Sequence, residues 1–471
     1  MKKLFLTVFV IAAMALAFTA CSSDEPTPAA PATTVAPTTT VPPATTAPPA
    51  PTEPETFEPT GETIPGFDPN NRSVVEIYFW HAMTGAHEAG IQRIVDAFHA
   101  QNPYVRVNAM FQGNYGQLSN QIMLNDLAGN LPHIAQATVS DVTRYMVDGM
   151  ILPLNMFMND PVVGLAAEDI DDIGSGFRAT SVFDGEWFSL PFSKSVRVMF
   201  YNRDMFNAAG IEVPSTWDEV LEAARILTDE AAGVVGFSFE NAHDMEWIAK
   251  LFQAGGVYLD EAANQAVFAS PEGIAAMEWV MELINSPYGR TAGADGFNSG
   301  VFGRQDIAMY IGSSAGLPHV TNAVDGTFDW GVVPTPSTNG RRAVEFAGND
   351  LVLFENSNHS IEERVGAWEF MAFTLRPEIA AQWAIDSGYV PVTYTAASLP
   401  MFLDFLEANP RAAAATYSLP YGFFRTRHVQ GGAIRTILMG QMDEIRFGNV
   451  TAEVGLMHAQ ELANEELERG R

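Results

Sequence analysis

Leu190-Pro191-Phe192-Ser193-Lys194-Ser195-Val196-Arg197-Val198-Met199-Phe200-Tyr201-Asn202 is the stretch on which the fold reading turns. Pro191 locks its own φ and biases Leu190 toward extended geometry. β-formers fill most of the remainder, and Asn202-Arg203-Asp204 makes a turn-like exit. The stretch reads as one long strand with small polar side chains at its start. Two arrangements suit it: an ordinary buried strand with a solvated end, or a strand crossing between two lobes with its polar end in the cleft. Side chains alternate along a strand, so Lys194 and Ser195 face opposite ways.

Outside this stretch, bulk properties narrow the choice. The chain has 471 residues, more than one typical core, so at least two domains are expected. Lys and Arg number 25 against 56 Asp and Glu, a formal charge of −31. Nucleic acid is therefore excluded as a partner, because affinity there comes from neutralising phosphates. An anionic ligand needs a local cluster of cations and amide dipoles to overcome the global field.

The amino terminus is organised for export. Met1-Lys2-Lys3 is basic, Leu4 to Phe18 is apolar but short for a membrane span, and Thr19-Ala20 precede the single cysteine, Cys21. This resembles a bacterial lipoprotein signal, with lipidation expected at Cys21. Phe18 stands where a smaller or aliphatic residue is usual. A lone cysteine forbids an internal disulfide. Residues 22–72, rich in Pro, Thr and Ala, read as a disordered stalk, with the folded part starting near Ser73.

Strands and helices then alternate, the signature of a parallel or mixed α/β sheet. Val74 to Trp80, Val105 to Phe111 and His133 to Val139 read as strands, with helices between them marked by Ile91, Ile94, Val95 and Phe98, then by Leu118, Ile122 and Leu127. Ser140-Asp141 is taken as the cap of a short helix. Downstream, Thr216-Trp217-Asp218-Glu219 and Ser360-Ile361-Glu362-Glu363 are capping boxes, and Ser270-Pro271 opens a further helix. Ile307 to Gly312, Asp329 to Val333 and Ala347 to Phe354 are strands, and helices start near Pro377, Gly432 and Thr451.

Phe79-Trp80-His81, Gly113-Asn114-Tyr115, Leu190-Pro191-Phe192 with Ser195, Phe200-Tyr201-Asn202, Ala308-Met309 with Ser313-Ser314, Ser387-Gly388-Tyr389-Val390-Pro391 and Ile434-Arg435 occur in this order. In their order and spacing they resemble the extracellular solute-binding proteins of ABC importers, the cluster that includes the maltose-binding proteins. The similarity is greatest to the sn-glycerol-3-phosphate-binding members of the Ugp system. The resemblance implies a two-lobed periplasmic-binding-protein-like α/β fold with crossing hinge strands. It implies lobe 1 from 73–192 plus 316–386 and lobe 2 from 193–315 plus 387–471. It also implies a monomer that passes its ligand to ABC permease subunits, tethered at the extracellular face of the membrane through its lipid anchor, with no cofactor.

Carried over residue by residue, the ligand contacts fall on Tyr115, Ser195, Ser313, Gly348, Tyr389 and Arg435. The residue chemistry suits an anion: a permanently charged planar donor, two hydroxyls, two phenols and an amide with no side chain in the way. The polyol side departs from the family pattern. Val139 stands where a glutamate grips ligand hydroxyls, with Ser140 and Asp141 adjacent. Asp244 lies near a family tryptophan position, and Trp247 is a further wall residue. A phosphorylated polyol, such as sn-glycerol 3-phosphate or a glycerophosphodiester, is the expected ligand. A neutral oligosaccharide is the alternative within the class. An anchored glycoside hydrolase would need two carboxylates, for which Glu362-Glu363 or Asp171-Asp172 are the nominees, but both pairs fall on solvated helix starts. The chain carries no phosphate loop, zinc spacing or nucleophile elbow.

Overall fold

The computed structural model describes residues 59–425 and 428–469. The export signal, Cys21 and most of the stalk lie outside the described residues. One part of the expected stalk does not. The Thr60 amide donates to the Asn159 side chain and the Ile64 amide to the Asp160 carboxylate, while Ile64 is buried in the core. Arg72 makes a two-pronged ion pair with Glu369. The folded region therefore begins near residue 60, not at Ser73. Ile64, Phe67 and Arg72 give this segment the apolar and charged anchors that the Pro/Thr tract before it lacks.

Ten strands form one mixed sheet. They are β1 (Val75–His81), β2 (Val105–Phe111), β3 (Ile134–Ala137), β4 (Leu190–Asn202), β5 (Val235–Phe239), β6 (Gly289–Thr291), β7 (Ile307–Ser313), β8 (Trp330–Pro334), β9 (Val344–Leu353) and β10 (Gly422–Phe423). Along the sheet the order is β6-β5-β7-β4-β9-β3-β1-β2, with β8 on β4 and β10 on β9. The strand β4 coincides with the stretch from Leu190 to Asn202 singled out in the sequence, and all thirteen of its residues are buried. Its first half, Leu190 to Val196, pairs antiparallel with β9, while its second half pairs with β7 and β8. It is a crossing strand. β1, β2 and β3 are parallel neighbours on one side, and β5, β6 and β7 are parallel neighbours on the other.

The alternation along β4 divides the core. Val196, Val198 and Phe200 enter one apolar cluster, and Met199 and Tyr201 enter a second. The first cluster takes in α1 (Ala86–Gln101), α7 (Ile361–Thr374) and α8 (Pro377–Ser387). The second takes in α4 (Trp217–Leu227), α5 (Asp244–Ala254), α6 (Pro271–Asn285), α9 (Gly431–Arg446) and α10 (Ala452–Arg469). A third, smaller cluster lies under α2 (Tyr115–Ala128) and α3 (Val139–Val147). Val390, Val392, Phe402 and Ala414 also enter the first cluster.

One boundary differs from the sequence reading for a local reason. The third strand stops at Ala137 because Thr138 and Asp141 form a capping box that starts α3 at Val139. Two reciprocal cap bonds outweigh the β-propensity of one valine. The boxes at Thr216/Glu219 and Ser360/Glu363 cap α4 and α7 as expected. Among the described residues no helix is long and apolar enough to cross a membrane.

Candidate functional site

Ser195 on β4 lies opposite Ala347 on β9, and Gly348 lies opposite Lys194. On the other edge of β4, Ser313 of β7 lies opposite Arg197, and the Val390 amide donates to the Lys194 carbonyl at 2.7 Å. Three adjacent strands thus bring Ser195, Ser313 and Gly348 to the middle of the crossing, beside Tyr389. Gly348 has a φ of 108°, and a Cβ there would sit 1.8 Å from the Ser193 carbonyl oxygen. Only glycine lets the two strands approach so closely.

Tyr115 reaches the same place from α2. Asn114 caps that helix by accepting from the Gln117 amide, and Gln117 accepts from the Asn114 amide in return. The cap fixes Tyr115 in the first turn. Its hydroxyl accepts from the Asn349 side chain at 2.7 Å and lies 3.4 Å from the Tyr389 hydroxyl. Burial pushes both phenols up from their ordinary range, so both remain neutral donors. Tyr389 stacks on Trp383 with ring centroids 5.8 Å apart, which fixes its direction. The Ser313 hydroxyl accepts from the Ala315 amide at 3.2 Å.

Lys194, on the opposite face, makes a fully buried ion pair with Asp350 at 2.7 Å, as alternation requires. It is a structural cation.

Arg435, in the first turn and a half of α9, is committed. Its Nε and Nη2 donate to the two oxygens of Asp244 at 2.8 and 2.9 Å. Asp244 also accepts from Arg425 at 2.7 Å, and Arg425 clasps Glu345 of β9 with two further bonds at 3.0 and 2.9 Å. Burial raises the Asp244 pKa, but the two guanidiniums outweigh it and hold the carboxyl well below the usual range. A second cluster adjoins this one. Arg197, on the face of Ser195, donates to Glu246 at 2.8 Å, to Glu240 at 2.7 Å and to the Ile311 carbonyl at 3.1 Å. Burial pushes Glu246 up to about 7, only partly offset by Arg197.

The wall residues divide. Val139 is half-buried and Ser140 exposed at the start of α3. Asp141 is absorbed by the Thr138 cap and by a 2.9 Å bond from Ser119. Asp244 holds the Arg435 guanidinium. Trp247 does not serve as a wall: it is fully buried, its indole donates to the Gly273 carbonyl at 3.0 Å, and Tyr258 and Phe268 pack on it. Helical spacing places it on the inward face of α5, where a large ring is most simply core. The nominated acid pairs are structural too: Glu363 caps α7, Glu362 accepts from Ser73, Asp171 pairs with Arg178, and Asp172 accepts from Thr395. No three-residue metal-ligating group occurs among the described residues.

Sequence reasoning missed Asn349, Arg197 and Arg425. Arg197 was within reach, because it lies two positions from Ser195 and so shares its face. Arg425 follows Gly422-Phe423-Phe424 with no pattern to single it out.

The description "Bacterial extracellular solute-binding protein" names the family model that matches residues 93–414. This chain belongs to that family. The sn-glycerol-3-phosphate-binding periplasmic protein UgpB of Escherichia coli K12 is 25% identical over 419 residues, covering 85% of this chain and 94% of that protein. UgpB from Mycobacterium tuberculosis, solved in complex with glycerophosphocholine, superposes with a TM-score of 0.74 at 20% identity, over 84% of this chain and 99% of that one. The cyclic alpha-maltosyl-1,6-maltose binding protein from Arthrobacter globiformis superposes with a TM-score of 0.70 at 23% identity, over 84% of this chain and all of that one. The two-lobed binding-protein fold is thereby established, and the chain is a solute-binding component of an ABC importer, not an enzyme.

Proposed function

We propose that this solute-binding protein captures a phosphorylated polyol, sn-glycerol 3-phosphate or a glycerophosphodiester, and delivers it to an ABC permease. The observation that supports the reading is the linked group of Tyr115, Asn349 and Tyr389 beside the glycine-narrowed crossing of β4 and β9, with Ser195 and Ser313 on the strands that pair there. Neutral donors arranged this way replace the water that an anion loses when lobes close over it. Arg435, its side chain 46% exposed, supplies the cation. The similarity to UgpB of E. coli supports the same ligand class. The protein acts as a monomer, tethered through Cys21.

A neutral oligosaccharide is the second reading. The engagement of Arg435 by Asp244 favours it, as does the likeness to the Arthrobacter protein. Calorimetry and thermal shift with sn-glycerol 3-phosphate, glycerophosphocholine and maltotriose separate the two. A phosphate ester should raise the melting temperature by mass action. A shift with maltotriose alone refutes the phosphate reading.

A further inference from the structure

Asp244 is the pivot of the charged side of the site. It is fully buried, and each of its oxygens is already used: Oδ1 by Arg435, and Oδ2 by both Arg435 and Arg425. Arg425 in turn is held by Glu345. Two guanidiniums therefore face two carboxylates, and their charges cancel. The adjoining cluster sets Arg197 against Glu240 and Glu246. Among the described residues the site holds no surplus of positive charge.

A phosphomonoester is close to dianionic at neutral pH, because its second ionisation falls near 6. A phosphodiester carries one negative charge, and one bearing its own ammonium group carries none net. Asp244 already occupies the Nε/Nη2 edge of Arg435, so an incoming phosphate has to approach the Nη1 side, in the field of that carboxylate. Each added negative charge on the ligand is repelled by the same neighbour.

We propose that Asp244 is a specificity-determining residue: by neutralising Arg435 it disfavours dianionic phosphomonoesters and leaves the cleft suited to phosphodiesters of low net charge. This rests on the phosphate-ester reading of the ligand. The test is calorimetry on the full mature protein at pH 7.5 and fixed salt, with sn-glycerol 3-phosphate, glycerophosphocholine and maltotriose as probes. Wild type should bind glycerophosphocholine more tightly than sn-glycerol 3-phosphate. Asp244→Asn should improve sn-glycerol 3-phosphate relative to glycerophosphocholine by about tenfold or more, the scale of one unit charge in a partly buried site. Glu345→Gln, which releases Arg425, should move the ratio the same way and serves if Asp244→Asn fails to fold. Phosphate-ester binding with an unchanged ratio in both variants, or a wild type that prefers the monoester, overturns the role of Asp244 alone. Binding of maltotriose and of neither phosphate ester by wild type and variants overturns the ligand class and the role together.

Discussion

Gly348→Ala puts a single methyl group where β9 passes β4. The φ of 108° at this position is one that L-residues rarely adopt, and the new Cβ would lie 1.8 Å from the Ser193 carbonyl oxygen and 3.2 Å from the Lys194 Cα. Positive φ at a residue with a Cβ costs about 1–2 kcal/mol. A carbon–oxygen contact normally needs about 3.3 Å or more, so the strands must part by well over 1 Å, enough to break neighbouring ladder bonds. Losing two such bonds adds about 1–3 kcal/mol. The expected destabilisation is about 2–5 kcal/mol, set against a total stability of about 5–15 kcal/mol. Ligand affinity should fall with it, because Asn349, next in the chain, holds Tyr115. Urea denaturation followed by tryptophan fluorescence measures the first effect and calorimetry the second. Gly440→Ala is the control: that residue lies within α9, and a Cβ there meets nothing within 4 Å. It should be neutral or stabilising by about 0.5–1 kcal/mol. If Gly348→Ala lies within 1 kcal/mol of wild type, roughly the error of such comparisons, the close crossing is not what fixes the site.

Four further outcomes are expected. Lys194→Met should destabilise by about 3–5 kcal/mol by stranding the Asp350 charge, and adding Asp350→Leu should recover most of that loss in chemical denaturation. Trp247→Phe should lower stability by about 1–3 kcal/mol, through a lost buried bond and packing, yet leave ligand affinity unchanged in calorimetry. Tyr389→Phe should weaken ligand binding about threefold to tenfold, the scale of one hydrogen bond, with little change in melting temperature. Burial, with His319 beside it, pulls the His87 imidazole down to about 4 from an ordinary value of 6.5. The unfolded chain therefore takes up the proton first. The contribution of His87 is fully present above pH 6.5 and is lost as pH falls through 4, by about 3 kcal/mol. His87→Gln should flatten that part of a pH series of denaturation curves.

Most of the fold is local chemistry and is readable as such. The bounds of β4 follow from Pro191 and the Asn202 exit, and α4, α6 and α7 begin at capping residues a few positions apart in sequence. The strand before α3 reads too long in the sequence because Ser140 looks like the cap, two residues beyond Thr138, where the box with Asp141 actually starts. Several segments escape because their apolar pattern is thin: α5 turns Asp244, Glu246 and Lys250 inward along with Trp247 and Leu251. Of the site, the hydroxyl-bearing residues are legible through the resemblance. The ionic side is not. Asp244 meets Arg425 from 181 residues away, and Glu345 meets it from 80, so no window of sequence contains the pattern. Trp247 and Lys194 mark the reach of periodicity. Strand alternation alone turns Lys194 away from Ser195, whereas the inward face of Trp247 emerges only once the whole of α5 is counted.

All thirteen residues of β4 are buried, and in its second half they enter the first and second apolar clusters by turns. Shifting that ribbon by one residue would move its apolar side chains to the opposite face of the sheet and turn Ser195 to the wrong side at once. The strand is therefore frozen as a platform, and neither drift nor redesign can retune the ligand there. New preferences have to be written on the helix ends and loops around it, at positions such as 139 and 140, where one side chain can change without unseating a core.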